Sequence, residues 1–432
     1  MSITRLSYDR SDEVENSCNM RFLGNYQHVR SILLLRMPAL IACLLPLQIS
    51  LPACAADWAL SGPFEVSSDA GGKLLAEPLS SFDKPWAMTF LPDGKLLVTE
   101  KAGELWLLDF AANTDAAELL SEQNPKTSGM EVASKIAVTG MPQISEGGQG
   151  GLGDIILHPD FSTNNRVYLS YVEQDGNVSG AVVSTANLQL QDASQPRLTD
   201  LNVIWSQSPK VSGQGHYGYR LAFSPDGYLF ITSGERQKFD PAQDMNSNLG
   251  KVVRLHDDGS VPADNPFAAR GGVAAQIWSL GHRNPLGIAF DQNDSLWVHE
   301  MGPKGGDELN LVERGANYGY PLVSNGKHYN GDSIPNHDTR PDLSAPATSW
   351  TPVISPSGLV VYTGALYNGW ENTGIIGGLS SQSLVRVVLD NPSTEIERYD
   401  MGNRIREVEQ GPDNYVYVLE DNKGGRLLRL IP

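Results

Sequence analysis

Apolar and polar residues recur along this chain in six similar segments, each with two apolar runs separated by a short polar turn. The runs are rich in Val, Ile, Leu, Phe and Tyr, and such runs favour β-strands. The segments span residues 86–109, 152–172, 219–235, 286–302, 357–379 and 408–431. The pattern therefore predicts a repeated β unit rather than one continuous sheet.

Pro-Asp pairs stand at the turn in four of the six segments. Pro presets φ for a turn, and an Asp side chain bonds its own backbone there. The pairs begin at Pro92, Pro159, Pro225 and Pro412, and the first three lie 67 and 66 residues apart. This spacing indicates a structural repeat.

A unit of about 45–70 residues with two to four strands is typical of a β-propeller blade. We therefore predict an all-β protein, a single six-bladed β-propeller over residues 56–432, with the region near Trp58 completing the last blade. An irregular β-sandwich array is the alternative. A helical solenoid is excluded, because no long helical stripe of apolar residues appears after Leu51.

Residues 1–55 have the pattern of a secretory signal peptide. The flank after Met20 is purely basic, and an uncharged stretch ends in the small-residue pattern Ala53-Cys54-Ala55. Its apolar block of about 15 residues is shorter than the roughly 20 that span a bilayer. We expect a periplasmic or secreted protein without a stable membrane span; the alternatives are a membrane anchor, or a lipoprotein attached at Cys54. Translation starting at Met20 or Met37 is also compatible with the pattern.

Composition and charge exclude several kinds of functional site. The 432 residues carry a net charge of −18, and the three cysteines are Cys18, Cys43 and Cys54. A thiol nucleophile, a disulfide scaffold and a cysteine-ligated metal are therefore excluded from the body of the chain. The acidic balance argues against a nucleic-acid partner, which needs a basic face.

Two motifs introduce the third and fourth segments. His216, in GHYGYRL, follows a glycine and precedes a strand, and a neutral imidazole there can accept a proton. Arg283 and Asn284, in GHRNP, offer a guanidinium and an amide that bind a carboxylate or a quinone oxygen. Taken singly, a lone His is more often structural, and an Arg-Asn pair more often braces a loop.

Two glycine-containing stretches complete the candidates. EGGQGGLG, with Gln149, is not a phosphate loop, because no helix and no Lys-Ser/Thr follows it. EMGPKGGDELN exposes the carbonyls of Gly302 and Pro303 beside the Glu308 carboxylate, and oxygen ligands of this kind suit calcium. The alternative for the second stretch is a solvated acidic turn.

In this order, GGQGGLGDIILHPDF, GHYGYRLAFSPDG, LGHRNPLGIAF, HEMGPKGGDELN and ANYGYP resemble the soluble aldose sugar dehydrogenases that depend on pyrroloquinoline quinone (PQQ), relatives of soluble quinoprotein glucose dehydrogenase. The resemblance covers most of the chain after about residue 80.

The resemblance implies the following roles. His216 matches the catalytic base. Gln149, Arg283 and Asn284 match residues that hold the quinone, and Trp350 and Thr351 are kept as further residues lining its site. Calcium ligands are implied at the Gly302 and Pro303 carbonyls beside the cofactor, and at Glu308 and the Tyr318 carbonyl in a second site.

The implied reaction oxidises the C1 hydroxyl of an aldose to a lactone. His216 takes the hydroxyl proton, hydride passes to PQQ, and Arg283 and Ca²⁺ stabilise charge on the quinone oxygen. A separate acceptor, a quinone or a cytochrome, then receives the electrons. One departure stands out: residues 378–383, where the glucose-oxidising branch has cationic cofactor contacts, are neutral here, with Arg386 the nearest cation.

Two other function classes remain open. A calcium-dependent propeller hydrolase resembling a lactonase would need converging ligands, for which the chain offers Asp154, Glu235, Asp244 and Glu300. A non-enzymatic periplasmic binding propeller that has lost its cofactor would explain the neutral segment 378–383.

Overall fold

The computed structural model describes residues 62–111, 130–192 and 194–432. All of them belong to one compact unit, Ala56–Pro432. The predicted signal peptide, the three cysteines and Trp58 lie outside the described residues. Within the described residues, no helix is long and apolar enough to cross a membrane.

In the described part of the chain, twenty-five strands form six antiparallel sheets, which are the blades. The chain begins with β1 (Phe64–Ser67) and β2 (Lys73–Asp83). Blade 1 contains β3 (Pro85–Phe90), β4 (Leu96–Glu100), β5 (Leu105–Ala111) and β6 (Glu131–Ala137). Blade 2 contains β7 (Leu152–Leu157), β8 (Arg166–Asp175), β9 (Val178–Gln189) and β10 (Arg197–Ser206).

The remaining blades follow the same order. Blade 3 contains β11 (Gly218–Phe223), β12 (Leu229–Ser233), β13 (Lys251–Leu255) and β14 (Ile277–Leu280). Blade 4 contains β15 (Pro285–Phe290), β16 (Leu296–Glu300), β17 (Asp307–Leu311) and β18 (Thr348–Trp350). Blade 5 contains β19 (Pro356–Val361), β20 (Thr373–Gly378), β21 (Ser383–Val388) and β22 (Thr394–Asp400).

Blade 6 combines both ends of the described chain. Its strands β23 (Ile405–Gln410), β24 (Val416–Glu420) and β25 (Lys423–Ile431) are followed by β2 and β1 in the order β23-β24-β25-β2-β1. One short helix, α1 (Phe161–Asn164), and four 3₁₀ turns (Asp240–Ala242, Ala268–Arg270, Gly272–Gln276, His337–Thr339) lie in the described connections.

The prediction of an all-β, six-bladed propeller is confirmed. The first strand of each segment, β3, β7, β11, β15, β19 and β23, packs against its counterparts in the adjacent blades, so that these six strands surround a central channel. The ring closes where β2 pairs with β25, with Ala76 opposite Leu430. The described strands that complete the last blade come from the N-terminal side of the chain and begin at Phe64. The predicted contribution of the region near Trp58 lies outside the described residues.

The Pro-Asp turns have the expected local structure. In blade 1, Leu91 N donates to Lys95 O at 2.7 Å, and Asp93 Oδ1 accepts from Lys95 N at 3.3 Å. Gly94 follows with φ of +87°, a conformation that glycine adopts without steric cost. The sequence spacing therefore reflects one hairpin repeated around the ring.

The core lies between blades rather than within one sheet. All five residues of β4, β12, β16 and β24 are buried, because neighbouring blades cover both faces of these strands. This burial explains why each of these strands begins with a run of at least three apolar residues instead of an alternating pattern. The outermost strand β10, in contrast, is largely exposed.

Polar side chains in these buried second strands connect adjacent blades. Thr99 Oγ1 donates to Gly153 O at 2.8 Å, and Thr232 Oγ1 donates to Pro285 O at 3.0 Å. His299 Nε2 lies 2.9 Å from Gly358 O. Each carbonyl belongs to the next blade near the start of its innermost strand, where the register shifts by a bulge. The bonds therefore satisfy backbone groups that the bulges release.

We expect Thr232→Val to destabilise the protein by about 1–3 kcal/mol, because it leaves the buried Pro285 O and Arg220 N without their Thr232 partner. Urea denaturation measures the free energy of unfolding. Thr394→Val, at an exposed position, is the control and should change it by less than about 0.5 kcal/mol. Equal effects of the two substitutions would contradict the role of the Thr232 bonds.

Candidate active site

A cavity of about 550 Å³ opens where the six innermost strands begin. This volume is within the range of about 300–1,000 Å³ that ligand sites occupy. Every blade contributes to the lining, which includes Lys84, Trp86, Gln149, Tyr219, Asn284, Met301, Ser355, Arg404 and Arg406. The ring thus brings together residues that are more than 300 positions apart in the chain.

The cavity is positively charged although the protein is acidic. Five cationic side chains and two carboxylates line it: Lys84, Lys101, Arg404, Arg406 and Lys423, with Glu146 and Asp421. Asp421 is shared by two of the cations, since its oxygens lie 2.9 Å from Arg404 Nε and 3.1 Å from Arg406 Nη2. The excess of positive charge favours an anionic ligand.

The pKa values of two lining groups respond to this charge. Burial alone would raise the pKa of Asp421, but Arg406 and Arg404 outweigh burial and hold it below its usual range. Burial, and then the charge of Arg406, lower the pKa of Lys101. A bound anion would therefore relieve the repulsion between Lys101 and Arg406.

His216 lies beside the cavity, and both its backbone N and its imidazole ring form hydrogen bonds. Its backbone N donates to Gln149 Oε1 at 2.8 Å, and its Nδ1 lies 2.5 Å from Glu235 Oε1. A carboxylate only accepts hydrogen bonds, so Nδ1 carries the proton and Nε2 keeps its lone pair. The pair has the arrangement of a general base with an orienting carboxylate.

Electrostatics keep this imidazole neutral. Burial lowers the pKa of His216, and the charges of Arg283 and Arg236 lower it further, while Glu235 raises it in part. For Glu235, burial opposes ionisation, but the hydrogen bond to His216 outweighs it and the pKa lies below its usual range. At neutral pH the pair is therefore a neutral imidazole and a carboxylate.

Arg283 and Asn284 approach the cavity from the loop before β15. Arg283 Nη1 donates to Met301 O at 2.9 Å and to Gly302 O at 2.7 Å, and its backbone N donates to Glu300 Oε2 at 2.5 Å. Arg283 Nε and Asn284 Oδ1 are buried without a hydrogen-bond partner among the described residues. Buried polar atoms without a partner are costly unless a ligand satisfies them.

A second polar group lies behind Arg283. Glu300 Oε1 lies 2.9 Å from His282 Nδ1 and accepts from Asn310 Nδ2 at 3.1 Å. Burial, and then the neighbouring Glu300, raise the pKa of Glu308. The Tyr318 carbonyl, which accepts from His337 Nε2 at 3.1 Å, belongs to the loop that packs against His282. Burial and repulsion by Glu300 thus oppose ionisation of the Glu308 carboxyl group, and a bound cation would offset this repulsion.

Comparison with known proteins decides the family. The glucose/sorbosone dehydrogenase family model matches residues 82–429. The chain belongs to the glucose/sorbosone dehydrogenase family. The resemblance inferred from the five motifs is thereby confirmed, and the protein is an oxidoreductase of the sugar dehydrogenase type.

Individual relatives agree with this assignment. Aldose sugar dehydrogenase YliI of Escherichia coli is 38% identical over 360 residues, which cover 81% of this chain and 90% of the relative. Quinoprotein glucose dehydrogenase B of Acinetobacter calcoaceticus is 27% identical, covering 80% and 85%. A solved glucose dehydrogenase structure superimposes with a TM-score of 0.73 at 37% identity, covering 83% of this chain and 99% of that chain.

Most of the residues predicted from the sequence for the cofactor and the base lie at or beside the cavity. Gln149 and Asn284 line the cavity, and His216 and Arg283 bond to lining residues. The carbonyl-bearing segment with Gly302 and Pro303 lies under the Arg283 guanidinium. Sequence reasoning thus found residues that are neighbours in space although they come from three different blades.

Trp350 and Thr351 are not brought to the cavity. Trp350 is in β18, the outermost strand of blade 4, where its Nε1 donates to Glu395 Oε2 at 2.6 Å. Thr351 Oγ1 accepts from Gly306 N at 2.9 Å and so supports the turn that follows Pro303. Neither residue is among the described residues that line the cavity, and their role beside the cofactor stays a prediction.

The source of positive charge also differs from expectation. Arg386, the cation nearest to the neutral segment 378–383 in sequence, is paired with Glu397 at 2.8 Å and does not line the cavity. Lys84, Lys101, Arg404 and Arg406 provide the charge instead. The repeat contained a signal for these cations, because Lys84 stands before a Pro at the start of its strand, as Asn284 does. Arg404 and Arg406 likewise stand on either side of Ile405, the first residue of β23.

Sequence reasoning also missed the partnership of His216 with Glu235. We expect Glu235→Gln to lower the pKa of His216, because the carboxylate raises it. An NMR titration of the eight histidines, with His216→Ala to assign the resonance, measures the shift. The control Glu146→Gln, which changes another carboxylate of the site, should leave this pKa unmoved. A higher pKa for His216 in Glu235→Gln would disprove the arrangement.

Proposed function

We propose that this protein is a PQQ-dependent aldose sugar dehydrogenase that oxidises the C1 hydroxyl of aldoses to lactones. The observation that carries the proposal is the neutral His216 imidazole, hydrogen-bonded to the Glu235 carboxylate, beside a cationic cavity. The names of the relatives agree, since one is an aldose sugar dehydrogenase and another a quinoprotein.

The residues of the cavity fit a planar quinone with three carboxylates. Lys101, Arg404 and Arg406 match the carboxylates in charge, and Trp86 offers an aromatic face. The unpartnered Arg283 Nε and Asn284 Oδ1 supply a donor and an acceptor for the ring. Gln149 lines the same cavity and would hold both the cofactor and, through its Oε1, the backbone of His216.

Calcium also has suitable oxygen ligands. The Gly302 carbonyl accepts one bond from Arg283, so one lone pair is left for a metal, and the Pro303 carbonyl is next to it. In the second proposed site, the Glu308 carboxylate and the Tyr318 carbonyl would hold the ion, and the adjacent Glu300 adds negative charge. Within the described residues no cluster of three or more His, Cys, Asp or Glu side chains is arranged for a metal, so backbone carbonyls are needed in both sites.

In the proposed reaction the chain's own residues move one proton and orient the sugar. Nε2 of His216 removes the proton of the anomeric hydroxyl, and Glu235 stabilises the imidazolium that forms. When bound, PQQ supplies the electrophilic quinone that accepts the C1 hydrogen with its two electrons. The low pKa of His216 keeps the base unprotonated over a wider acidic range than a free histidine.

The competing functions have less support. The four acidic residues considered for a hydrolase have other partners: Asp154 bonds Arg220 and Leu221 N, Glu235 bonds His216, and the exposed Asp244 accepts from Asn246 N at 2.9 Å. Glu300 bonds His282 and Arg283 N. The argument for a binding protein without cofactor was the neutral segment 378–383, and Arg404 and Arg406 compensate for it.

Export to the periplasm or beyond, and transfer of electrons to a separate quinone or cytochrome, complete the proposal. The signal-peptide pattern of residues 1–55 supports export. The reaction that the family resemblance implies supports the separate electron acceptor.

We expect His216→Ala to lower kcat for aldose oxidation by about 10²–10⁴-fold, because the general base is lost. The assay supplies PQQ and Ca²⁺ to the apo-protein and follows reduction of a dye. The affinity for PQQ should change little. His256→Ala, in a histidine that does not line the cavity, should retain activity. Unchanged kcat in His216→Ala would refute the assignment of the base.

Arg406→Gln should weaken PQQ binding by roughly 10–100-fold, as expected for loss of a charged hydrogen bond worth about 1.5–3 kcal/mol. Fluorescence titration of the apo-protein gives the dissociation constant. Arg340→Gln, which alters an exposed ion pair with Asp342, is the matched control and should bind as the wild type does. Equal affinities for all three proteins would argue against a carboxylate subsite at Arg406.

A further inference from the structure

Arg236 is almost completely buried next to Glu235, and its guanidinium contacts the segment that carries His216. Nη1 donates to Gly215 O at 2.7 Å. Nη2 donates to Gly213 O at 2.8 Å and to Ser179 Oγ at 2.9 Å. These bonds place the Arg236 guanidinium against Gly213 and Gly215, the two glycines that precede His216.

The same side chain also contacts the residue after the base. The Arg236 guanidinium lies 3.7 Å from the centre of the Tyr217 ring, and the Arg236 backbone N donates to His216 O at 3.2 Å. The Tyr217 hydroxyl lies 2.9 Å from Ser179 Oγ, which Arg236 also bonds. Arg236 therefore contacts the chain before, at and after His216.

This segment requires such support because its backbone is strained. Within residues 213–217, His216 has φ of +50°, in the left-handed region that non-glycine residues seldom adopt. Tyr219, just after this segment, and Arg236 itself have φ of +57° and +62°. Each such residue costs about 1–3 kcal/mol and persists only where the surroundings hold it. The multiple bonds of one planar guanidinium supply that constraint.

The hydrogen bonds of Arg236 go to neutral groups. The adjacent Glu235 carboxylate is occupied by His216 Nδ1 and by the backbone N of Lys238 and Phe239. Arg236 thus remains a cation close to the imidazole. The charged groups that face His216 are Glu235, Arg283 and Arg236, and the last two lower its pKa.

We propose that Arg236 is a positioning residue that fixes the strained 213–217 segment and so aims the His216 imidazole at the sugar. The inference rests on the proposed function of His216. It assigns to Arg236 two separable contributions, the geometry of its planar fork and the field of its charge.

Two substitutions separate these contributions. Arg236→Lys keeps the charge and loses the fork, whereas Arg236→Gln loses both. Arg254 offers matched controls, because it is also a buried arginine of blade 3, stacked 3.6 Å from the Tyr228 ring, but bonds Asp264 and Asn265 away from His216. Ser179→Ala is a milder variant that removes one partner of Arg236.

The first measurement is the pKa of His216 in the apo-protein, by NMR. We expect Arg236→Gln to raise it, because a nearby cation is lost, and Arg236→Lys to leave it near the wild-type value. The acid limb of the kcat profile should move to higher pH in Arg236→Gln alone. Since the NMR titration needs no cofactor, it tests Arg236 even if aldose oxidation by the wild type is not observed, which would count against the proposed function instead.

The second measurement compares the effect of each substitution on kcat with its effect on PQQ affinity. We expect kcat to fall by about 10–100-fold in Arg236→Lys, as a misplaced catalytic group predicts, and less in Ser179→Ala, with PQQ affinity unchanged in both. Thermal denaturation verifies folding, and Ser179→Ala decides the point if the Arg236 variants do not fold. A wild-type kcat in Arg236→Lys would overturn the proposal. If the Arg236 variants do not fold, a wild-type kcat in Ser179→Ala would overturn it. So would an unmoved His216 pKa in Arg236→Gln, or the same losses in the Arg254 variants.

Discussion

Closure of the ring is the constraint on which the rest of this structure depends. The pairing of β2 with β25 joins the two ends of the described chain, and only a closed ring brings the starts of six innermost strands around one channel. The lining residues come from all six blades, so no blade contains the site by itself. Bonds such as Thr232 Oγ1 to Pro285 O hold adjacent blades in register where the strands begin.

Within that ring, local charge departs from the charge of the whole protein. The chain is strongly acidic, yet cations outnumber carboxylates in the cavity lining. Because Arg404 and Arg406 share Asp421, their positions are fixed before any ligand arrives. Preorganised charge of this kind binds an anion without reorganisation of the protein. The His216 imidazole stays neutral for another reason, since burial, Arg283 and Arg236 lower its pKa.

The sequence predicted most of the fold because the hairpin repeat is local: apolar runs and Pro-Asp turns recur at nearly constant spacing. His216, Gln149 and Arg283 were found because each stands in a distinctive glycine-containing motif. Arg236 and Arg406 were missed, and Glu235 was considered only as a hydrolase ligand, because their contacts join segments that are separate in the sequence. Glu235 is 19 residues from His216 along the chain, and Arg406 and Lys101 approach each other only through ring closure.

The most direct test is the product that purified wild-type protein forms from an aldose and an excess of an electron-accepting dye, observed by NMR with and without PQQ and Ca²⁺. We expect lactone to appear only when the quinone is present, with two electrons transferred to the dye for each sugar oxidised. Failure to form lactone with saturating PQQ and Ca²⁺, or hydrolysis of added lactone in the absence of quinone, would contradict it.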